Sequence, residues 1–186
     1  MRRRVFIAIN LPKEVTAKIS RSVEELSALF DEDAARFAPA ENWHITVNFL
    51  GSQDEQDINL ILQAMQTVAE EFTVPEIQLE KIAYGPSDMI WLTGDHATSK
   101  ALGKLQNRLW DVLNGLGVRF KEDRRAFNAH ITLGKITKFM EVLPDVEKKI
   151  NAEFEPLTMD LMESTPGNTG SQYDILSSFA FKESVD

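Results

Sequence analysis

Apolar residues recur along this chain with two periods, one typical of strands and the other of amphipathic helices. In residues 13–30 they fall at every third or fourth position, as on one face of a helix. In residues 43–50 they alternate with polar residues up to Gly51, which predicts a strand. The same criteria predict helices over residues 54–71, 99–116 and 140–151, and strands over residues 5–10, 77–82, 89–93, 128–136, 154–162 and 173–181. Residues 37–39 predict a loop or a short strand.

Strands and helices are mixed in this order without a regular strand–helix–strand alternation, which favours an α+β fold. No Pro/Ser-rich linker separates the two halves, so we expect residues 1–186 to form a single domain with two lobes. Residues 165–170, Thr-Pro-Gly-Asn-Thr-Gly, predict the loop between the last two strands. Ser52 or Asp54 is expected to cap the helix over residues 54–71.

The composition excludes several classes of protein and of site. The 186 residues include no cysteine, which excludes a disulfide framework, a thiolate nucleophile and a cysteine-type zinc site. The apolar run near the N-terminus is too short for a signal peptide, and no later stretch is long and apolar enough to span a membrane. We therefore expect a cytoplasmic protein with no membrane partner. Nothing marks an obligate interface, and we expect a monomer.

Charge is unevenly distributed along the chain, whose net charge is −9. An acidic protein is poorly suited to duplex DNA, which is bound through many phosphate contacts. Residues 31–80 carry eleven acids and one base, Arg36. By contrast, residues 119–138 carry two acids and six bases, namely Arg119, Lys121, Arg124, Arg125, Lys135 and Lys138. Such a local basic segment suits a small or terminal phosphate, although a solvated basic loop explains it equally well.

A short internal repeat contains the candidate catalytic residues. Asn-Trp-His-Ile-Thr-Val at residues 42–47 recurs as Asn-Ala-His-Ile-Thr-Leu at residues 128–133. The repeat contains two of the three histidines of the chain. Alternation along a strand puts His44, Thr46 and Asn48 on one face, opposite an apolar face that includes Phe49. His130 and Thr132 share a face in the same way. The two His/Thr pairs would face each other across a cleft if the halves are related by approximate symmetry.

Paired imidazoles and hydroxyls suit the hydrolysis of a cyclic phosphodiester. One imidazole can deprotonate water while the other protonates the departing oxygen, because both titrate near neutral pH. Threonine hydroxyls can donate hydrogen bonds to the non-bridging phosphate oxygens. His-x-Thr supplies one zinc ligand per motif, where zinc needs three or four, so we expect neither a metal nor another cofactor.

Other candidates carry weaker signals. A single histidine on a strand is more often structural than catalytic, and only the repeat reverses that expectation for His44 and His130. His96 lies outside the repeat, near a predicted helix start, and is expected to be a surface or capping residue. Trp91, Phe37 and Tyr84 are aromatic residues able to stack on a base, but aromatic residues in strands are more typical of a core.

The two motifs resemble the paired His-x-Thr/Ser motifs of the 2H phosphoesterase superfamily. Within that superfamily, the chain more closely resembles the RNA 2′,3′-cyclic phosphodiesterase branch, also called 2′-5′ RNA ligase-like. The similarity lies in the sequence His-Ile-Thr-Val-Asn-Phe-Leu-Gly at residues 44–51 and in residues 4–12, 90–92, 161–164 and 173–176. The resemblance implies a bilobal fold with two pseudo-symmetric lobes whose antiparallel sheets surround a central cleft. It implies metal-independent opening of the cyclic phosphate at RNA 3′ ends, or of small cyclic nucleotides, to a 2′-phosphate.

The resemblance also implies roles for residues. His44 would be the general acid toward the 3′ oxygen and His130 the base that activates water, with Thr46 and Thr132 holding the phosphate. The branch usually has arginine five residues after the second histidine, where this chain has Lys135, which keeps the charge without the bidentate fork. Ala129 replaces a proline that is frequent in the family.

Two other functions stay open at the level of sequence. The first is a related esterase acting on another cyclic nucleotide or on a 2′-5′ linkage, including RNA ligation. The second is a non-catalytic module that binds RNA ends. Two titratable groups in matching positions argue against a site that only binds.

Overall fold

The computed structural model describes residues 2–73, 75–167 and 170–182, which form nine strands and three α-helices. The α+β class is confirmed. The strands are β1 (Arg3–Asn10), β2 (Ala35–Phe37), β3 (His44–Gln53), β4 (Ile77–Tyr84), β5 (Met89–Gly94), β6 (His130–Ile136), β7 (Lys148–Phe154), β8 (Thr158–Gly167) and β9 (Gly170–Ala180). The helices are α1 (Lys13–Ser27), α2 (Glu55–Glu71) and α3 (His96–Gly115).

The strands pair antiparallel in the order β7-β4-β5-β6-β3-β1-β8-β9, and β2 pairs with β6. The first lobe contains β3-β1-β8-β9 and the second contains β6-β5-β4-β7. β3 and β6 are neighbours at the centre of this order, and each carries the His-x-Thr motif of its lobe. In each lobe a helix precedes that strand: α1 lies between β1 and β3, and α3 lies between β5 and β6. The predicted bilobal, pseudo-symmetric arrangement is confirmed.

The two lobes share one continuous sheet, rather than presenting two separate sheets. The connection is narrow, because β3 and β6 pair only at Ile45 and Ile131 among the described residues. Both side chains are almost completely buried. In antiparallel register, this pairing sets His44 across from Thr132 and Thr46 across from His130.

One face of the sheet packs against the helices and forms the main core. Apolar residues from both lobes and all three helices belong to one buried cluster. On β1, the odd-numbered residues Val5, Ile7 and Ile9 belong to this core, whereas Phe6 and Ala8 lie on the opposite face. That opposite face forms the floor of the cleft. Asp54, not Ser52, caps α2 by accepting a hydrogen bond from the amide of Asp57 at 3.0 Å.

The helix predicted over residues 140–151 is wrong. Residues 137–147 contain no helix, and Phe139 and Val142 are 95% and 79% exposed. Pro144 interrupts the segment and has no amide hydrogen to donate within a helix. β7 begins at Lys148, and every second residue of it faces the core: Ile150, Ala152 and Phe154. The alternation of this strand therefore overrides the helical spacing.

Smaller differences concern the ends of elements. α1 ends at Ser27 instead of residue 30, and α3 begins three residues before its predicted start. The strand predicted over residues 154–162 is divided between β7 and β8 around Pro156. β8 and β9 extend into the predicted 165–170 loop, of which residues 168 and 169 lie outside the described residues. Among the helices of the described residues, none has the length and hydropathy needed to cross a membrane.

Candidate active site

A bulge at the third residue after each histidine determines which side chains enter the cleft. In β3 the register with β1 shifts between Thr46 and Asn48, and in β6 the register with β5 shifts between Thr132 and Gly134. At this equivalent position β3 has the extra residue Val47 and β6 has the extra residue Leu133; β3 has a second register shift at Leu50, beyond Phe49. A bulge of this kind reverses the alternation beyond it.

Of the three β3 residues predicted to share one face, the structure confirms His44 and Thr46 and corrects Asn48. His44 and Thr46 face the cleft, as His130 and Thr132 do. Asn48 does not join them, since it turns to the helical side, is 4% exposed and accepts a hydrogen bond from Trp110 Nε1 at 2.9 Å. Phe49 takes the place predicted for Asn48, faces the cleft and is 65% exposed.

The two imidazoles are held in the same way. Nδ1 of His44 lies 2.7 Å from the carbonyl oxygen of Asn42, and Nδ1 of His130 lies 2.7 Å from that of Asn128. A carbonyl oxygen only accepts, so each Nδ1 carries the proton and each Nε2 is left for chemistry. The shared asparagines of the repeat thus act on the histidines through the backbone. Nε2 of His44 also lies 3.1 Å from Thr46 Oγ1.

A cleft of about 890 Å³ brings all five predicted site residues together. Its lining includes His44, Thr46, His130, Thr132 and Lys135. Phe49, His130 and Thr46 also border a second cavity of about 700 Å³ toward residues 121–128. Both His/Thr pairs therefore open onto one space large enough for a nucleotide.

Burial lowers the pKa of both imidazoles. For His44, loss of hydration is the main cause; the Asn42 carbonyl raises the pKa, and the positive charge of His130 lowers it further. For His130, loss of hydration again lowers the pKa and the Asn128 carbonyl raises it. Both groups are therefore neutral in the free protein at neutral pH. A bound anionic phosphate favours their protonation, which makes proton donation dependent on substrate.

The aromatic surroundings of the two histidines differ. The ring of Trp91 stacks on His130 with centroids 3.8 Å apart and an interplanar angle of 24°. His44 instead meets the ring of Phe6 at a tilt and the ring of Tyr173 edge-on, with centroids 5.0 and 5.2 Å away. An aromatic face attracts a cation, so Trp91 favours the imidazolium form of His130. Gly85 allows this stack, because a Cβ at that position would lie 2.5 Å from Trp91 Cδ2.

The basic segment predicted over residues 119–138 does not form one surface at the cleft. Lys135 alone of its six cations lines the space shared by both histidines. Arg124 and Arg125 are paired with Glu122 and Asp123, respectively. Two cations that the sequence analysis did not select also line the cleft, Arg4 on β1 and Arg36 on β2.

The remaining candidates have varied positions. His96 is exposed at the start of α3, where Asp95 is the capping residue, and it lines neither cavity. The hydroxyl of Tyr84 donates to the carbonyl of Pro144, away from the cleft. Phe37 borders the cleft while packing against Phe30. Within the part of the chain that the structure describes, no three His, Asp or Glu side chains cluster as metal ligands.

Solved structures share this fold. The chain is similar to TT0787 of Thermus thermophilus with a TM-score of 0.83 and 20% identity, covering 97% of this chain and 98% of that one. It is similar to E. coli LigT complexed with 3′-AMP with a TM-score of 0.80 and 22% identity, covering 98% of this chain and 100% of that one. These similarities define the fold.

Sequence comparison finds similarity to one family of proteins. Residues 9–91 match the family of LigT-like phosphoesterases. The RNA 2′,3′-cyclic phosphodiesterase of Methanocaldococcus jannaschii is 27% identical over 184 residues, covering 93% of this chain and 98% of the relative. That of Thermotoga maritima is 29% identical over 184 residues, covering 93% and 92%. The chain is thus similar to the LigT-like phosphoesterase family over residues 9–91 and to RNA 2′,3′-cyclic phosphodiesterases over 93% of its length.

Proposed function

We propose that this protein hydrolyses the 2′,3′-cyclic phosphate at RNA 3′ ends to a 2′-phosphate, without a metal ion. The observation that carries the proposal is the matched pair of imidazoles, each with Nδ1 bound to a backbone carbonyl and both opening onto one cleft. The relatives named RNA 2′,3′-cyclic phosphodiesterase support the choice of substrate. Small cyclic nucleotides are the minimal form of the same substrate.

Two proton transfers complete the reaction. Nε2 of His130 takes a proton from water as the water oxygen forms a bond to phosphorus. The bond from phosphorus to the 3′ oxygen breaks, and Nε2 of His44 gives its proton to that oxygen. The product carries a 2′-phosphate and a free 3′ hydroxyl. Exchange with solvent then returns the proton to His44 and removes the one held by His130.

The surroundings of the imidazoles support this assignment of roles. A general base becomes positively charged in the transition state, and the face of Trp91 lies directly against His130. The general acid must deliver its proton toward the leaving oxygen, and Nε2 of His44 is oriented by Thr46 Oγ1. Reversing the two roles would place the developing positive charge on the imidazole that has no stacked partner among the described residues.

Thr46 and Thr132 hold the phosphate in this proposal. Each lies two residues beyond a histidine, on the same face of its strand, and each lines the cleft. Hydroxyl groups there can donate to the two non-bridging oxygens, on which charge increases in the transition state. Lys135 adds a positive charge to the same wall.

The first test is hydrolysis of a short RNA with a 2′,3′-cyclic phosphate end in excess EDTA. We expect turnover by the wild type, and its loss in His44→Ala and in His130→Ala, with the product identified by ³¹P NMR as a 2′-phosphate. His96→Ala is the matched control because it removes the third histidine, which lines neither cavity. It should retain full activity.

Each contrary result has a definite meaning. Full activity in either His44→Ala or His130→Ala would refute the paired acid–base mechanism. Loss of wild-type activity in EDTA, restored by a divalent cation, would refute the metal-independent step. A 3′-phosphate product would show that the other ring bond breaks. Binding of the RNA end without any turnover would indicate a binding module instead.

A further inference from the structure

Arg36 and Lys135 are direct cross-strand neighbours on one wall of the cleft. β2 pairs antiparallel with β6, and Arg36 is the Cα partner of Lys135. Side chains of a direct pair project from the same face of a sheet with Cβ atoms about 5 Å apart. Both residues line the cleft that contains the histidines.

Two cations in this arrangement repel each other unless an anion lies between them. The ion pairs found among the described residues involve neither Arg36 nor Lys135. The neighbouring cleft lining is also more basic than the chain, since three cations (Arg4, Arg36, Lys135) face two carboxylates (Glu41, Asp174), whereas the whole protein has a net charge of −9. An anionic group of the substrate is therefore the expected partner.

The position of the pair separates this anion from the phosphate that reacts. Thr132 is the partner of Trp91 on β5, and Lys135 is the partner of Met89. Their partners Trp91 and Met89 are two positions apart on β5, so Thr132 and Lys135 are separated by about 7 Å along the strand. Side chains stand roughly perpendicular to a sheet, so the two cationic heads lie beyond the phosphate held by the threonines.

We propose that Arg36 and Lys135 bind the phosphodiester group immediately 5′ of the terminal nucleotide. The inference rests on the proposed function, since it assumes that the cyclic phosphate occupies the space between the two His/Thr pairs. A cyclic mononucleotide has no such second phosphate. The cation pair thus makes an RNA end, rather than a free cyclic nucleotide, the preferred substrate of this cleft.

The chemistry of the two side chains suits this role. The planar guanidinium of Arg36 can bind two oxygens of one phosphate, and the ammonium of Lys135 can approach it as a point charge. Arg36 is the one base in the acidic stretch of residues 31–80, so its contribution to the local potential is not duplicated along that part of the chain.

The test compares three substrates. Adenosine 2′,3′-cyclic phosphate has only the reactive phosphate. The dinucleotide ApA with a 2′,3′-cyclic end adds the linking phosphate, and a third substrate replaces that link with an uncharged methylphosphonate. For the wild type we expect kcat/KM to be highest for the charged dinucleotide, with about a 10- to 100-fold loss on removal of the linking charge.

Variants connect that preference to the two cations. Arg36→Gln and Lys135→Gln should each lower the ratio of kcat/KM for the dinucleotide to that for the mononucleotide by about tenfold. Each should also reduce the dependence of log(kcat/KM) on log[salt] for the dinucleotide by about 0.7. Arg124→Gln is the control for the change in charge, since Arg124 is exposed and lines neither cavity. It should leave the ratio unchanged.

The possible failures are distinct. Wild-type protein that hydrolyses none of the three substrates would refute the proposed function itself. Wild-type activity that is equal on the charged and uncharged dinucleotides would leave that function intact and overturn the second phosphate site. An equal loss on mononucleotide and dinucleotide in Arg36→Gln would also overturn it, because the arginine would then act on the reactive phosphate or on the fold.

Discussion

At the scale of single residues, the hydroxyls of Thr46 and Thr132 are expected to act mainly on the transition state. Replacing either threonine with alanine removes one donor to a non-bridging oxygen. We expect kcat/KM for the cyclic phosphate to fall by roughly 10- to 1000-fold in each variant. Steady-state kinetics on adenosine 2′,3′-cyclic phosphate will measure the loss.

Serine variants are the matched controls for this prediction, because they retain the hydroxyl and lose only a methyl group. Thr46→Ser and Thr132→Ser should stay close to the wild-type rate. If the serine and alanine variants lose equal activity, the methyl group rather than the hydroxyl is responsible, and the phosphate contact is refuted.

The two buried imidazoles also make stability depend on pH. Their pKa values in the folded protein are lowered, mainly by loss of hydration. In the unfolded chain they return to about 6.5. Between the lowered values and 6.5 the unfolded state binds more protons, so the free energy of unfolding falls as the pH decreases through this range. Urea unfolding at pH 7.5 and 5.5 should show this decrease.

A variant with His44→Gln and His130→Gln should show a smaller decrease between these two pH values, since it has lost both titrating groups. The exposed His96 remains in both proteins and cancels in the comparison. An equal decrease in the wild type and the double variant would assign the pH dependence to other groups.

The same lowered pKa values affect catalysis. The pH profile of kcat/KM reports the acid and the base of the free enzyme. We expect a bell-shaped profile whose centre lies below the ordinary histidine pKa of about 6.5, because burial shifts both groups in that direction. A centre above that value would show that burial does not control the protonation of the two histidines in the free enzyme.

At the scale of elements, the turn between β4 and β5 controls the orientation of His130 through Trp91. A methyl group on Gly85 would overlap the indole ring, which would then have to move from the imidazole. Gly85→Ala should therefore lower kcat by about tenfold or more and change the titration of His130 in NMR spectra. Gly115→Ala, where an added Cβ meets no atom within 4 Å, is the control and should change neither.

Sequence pattern predicts most elements of this fold because the helices and the central strands have clear periodicity. It fails where two periods compete, as in residues 140–151, where a partial helical spacing conceals the alternation of Ile150, Ala152 and Phe154. It also fails at the bulges. Simple alternation places Asn48 in the cleft and Phe49 in the core, whereas the extra residue Val47 exchanges their positions.

Only part of the candidate site can be predicted from the sequence. The repeat identifies the two His/Thr pairs because the same local structure recurs twice. Arg36 has no such motif, and its approach to Lys135 depends on the pairing of β2 with β6 across about a hundred residues of chain. The one feature of the sequence that could have indicated Arg36 is that it is the only base among the acidic residues 31–80. For Trp91 the sequence allows base stacking but favours a core position, whereas the structure stacks its ring on His130.

At the scale of the whole molecule, the continuous sheet predicts that the two lobes unfold together. That residues 1–186 form a single domain stays a prediction, as does the monomeric state, which light scattering will measure. Trp43 precedes β3 in the first lobe and Trp91 lies in the second. In variants that retain either Trp43 or Trp91 as the single tryptophan, with Trp110 also replaced, the fluorescence midpoint in urea should coincide with the far-UV circular dichroism midpoint. Two separate midpoints would show that the lobes are independent.

The matching bulges have a consequence for the direction in which a strand can enter the cleft. Both bulges bring the fifth residue after the histidine into the cleft, which is Phe49 in the first lobe and Lys135 in the second. Identical residues there would make the cleft nearly two-fold symmetric, and an oligonucleotide would fit equally well in two opposite orientations. An aromatic ring on one side and a cation on the other remove that equivalence. The pseudo-symmetric halves thus acquire a polarity that matches the 5′-to-3′ polarity of a nucleic acid chain.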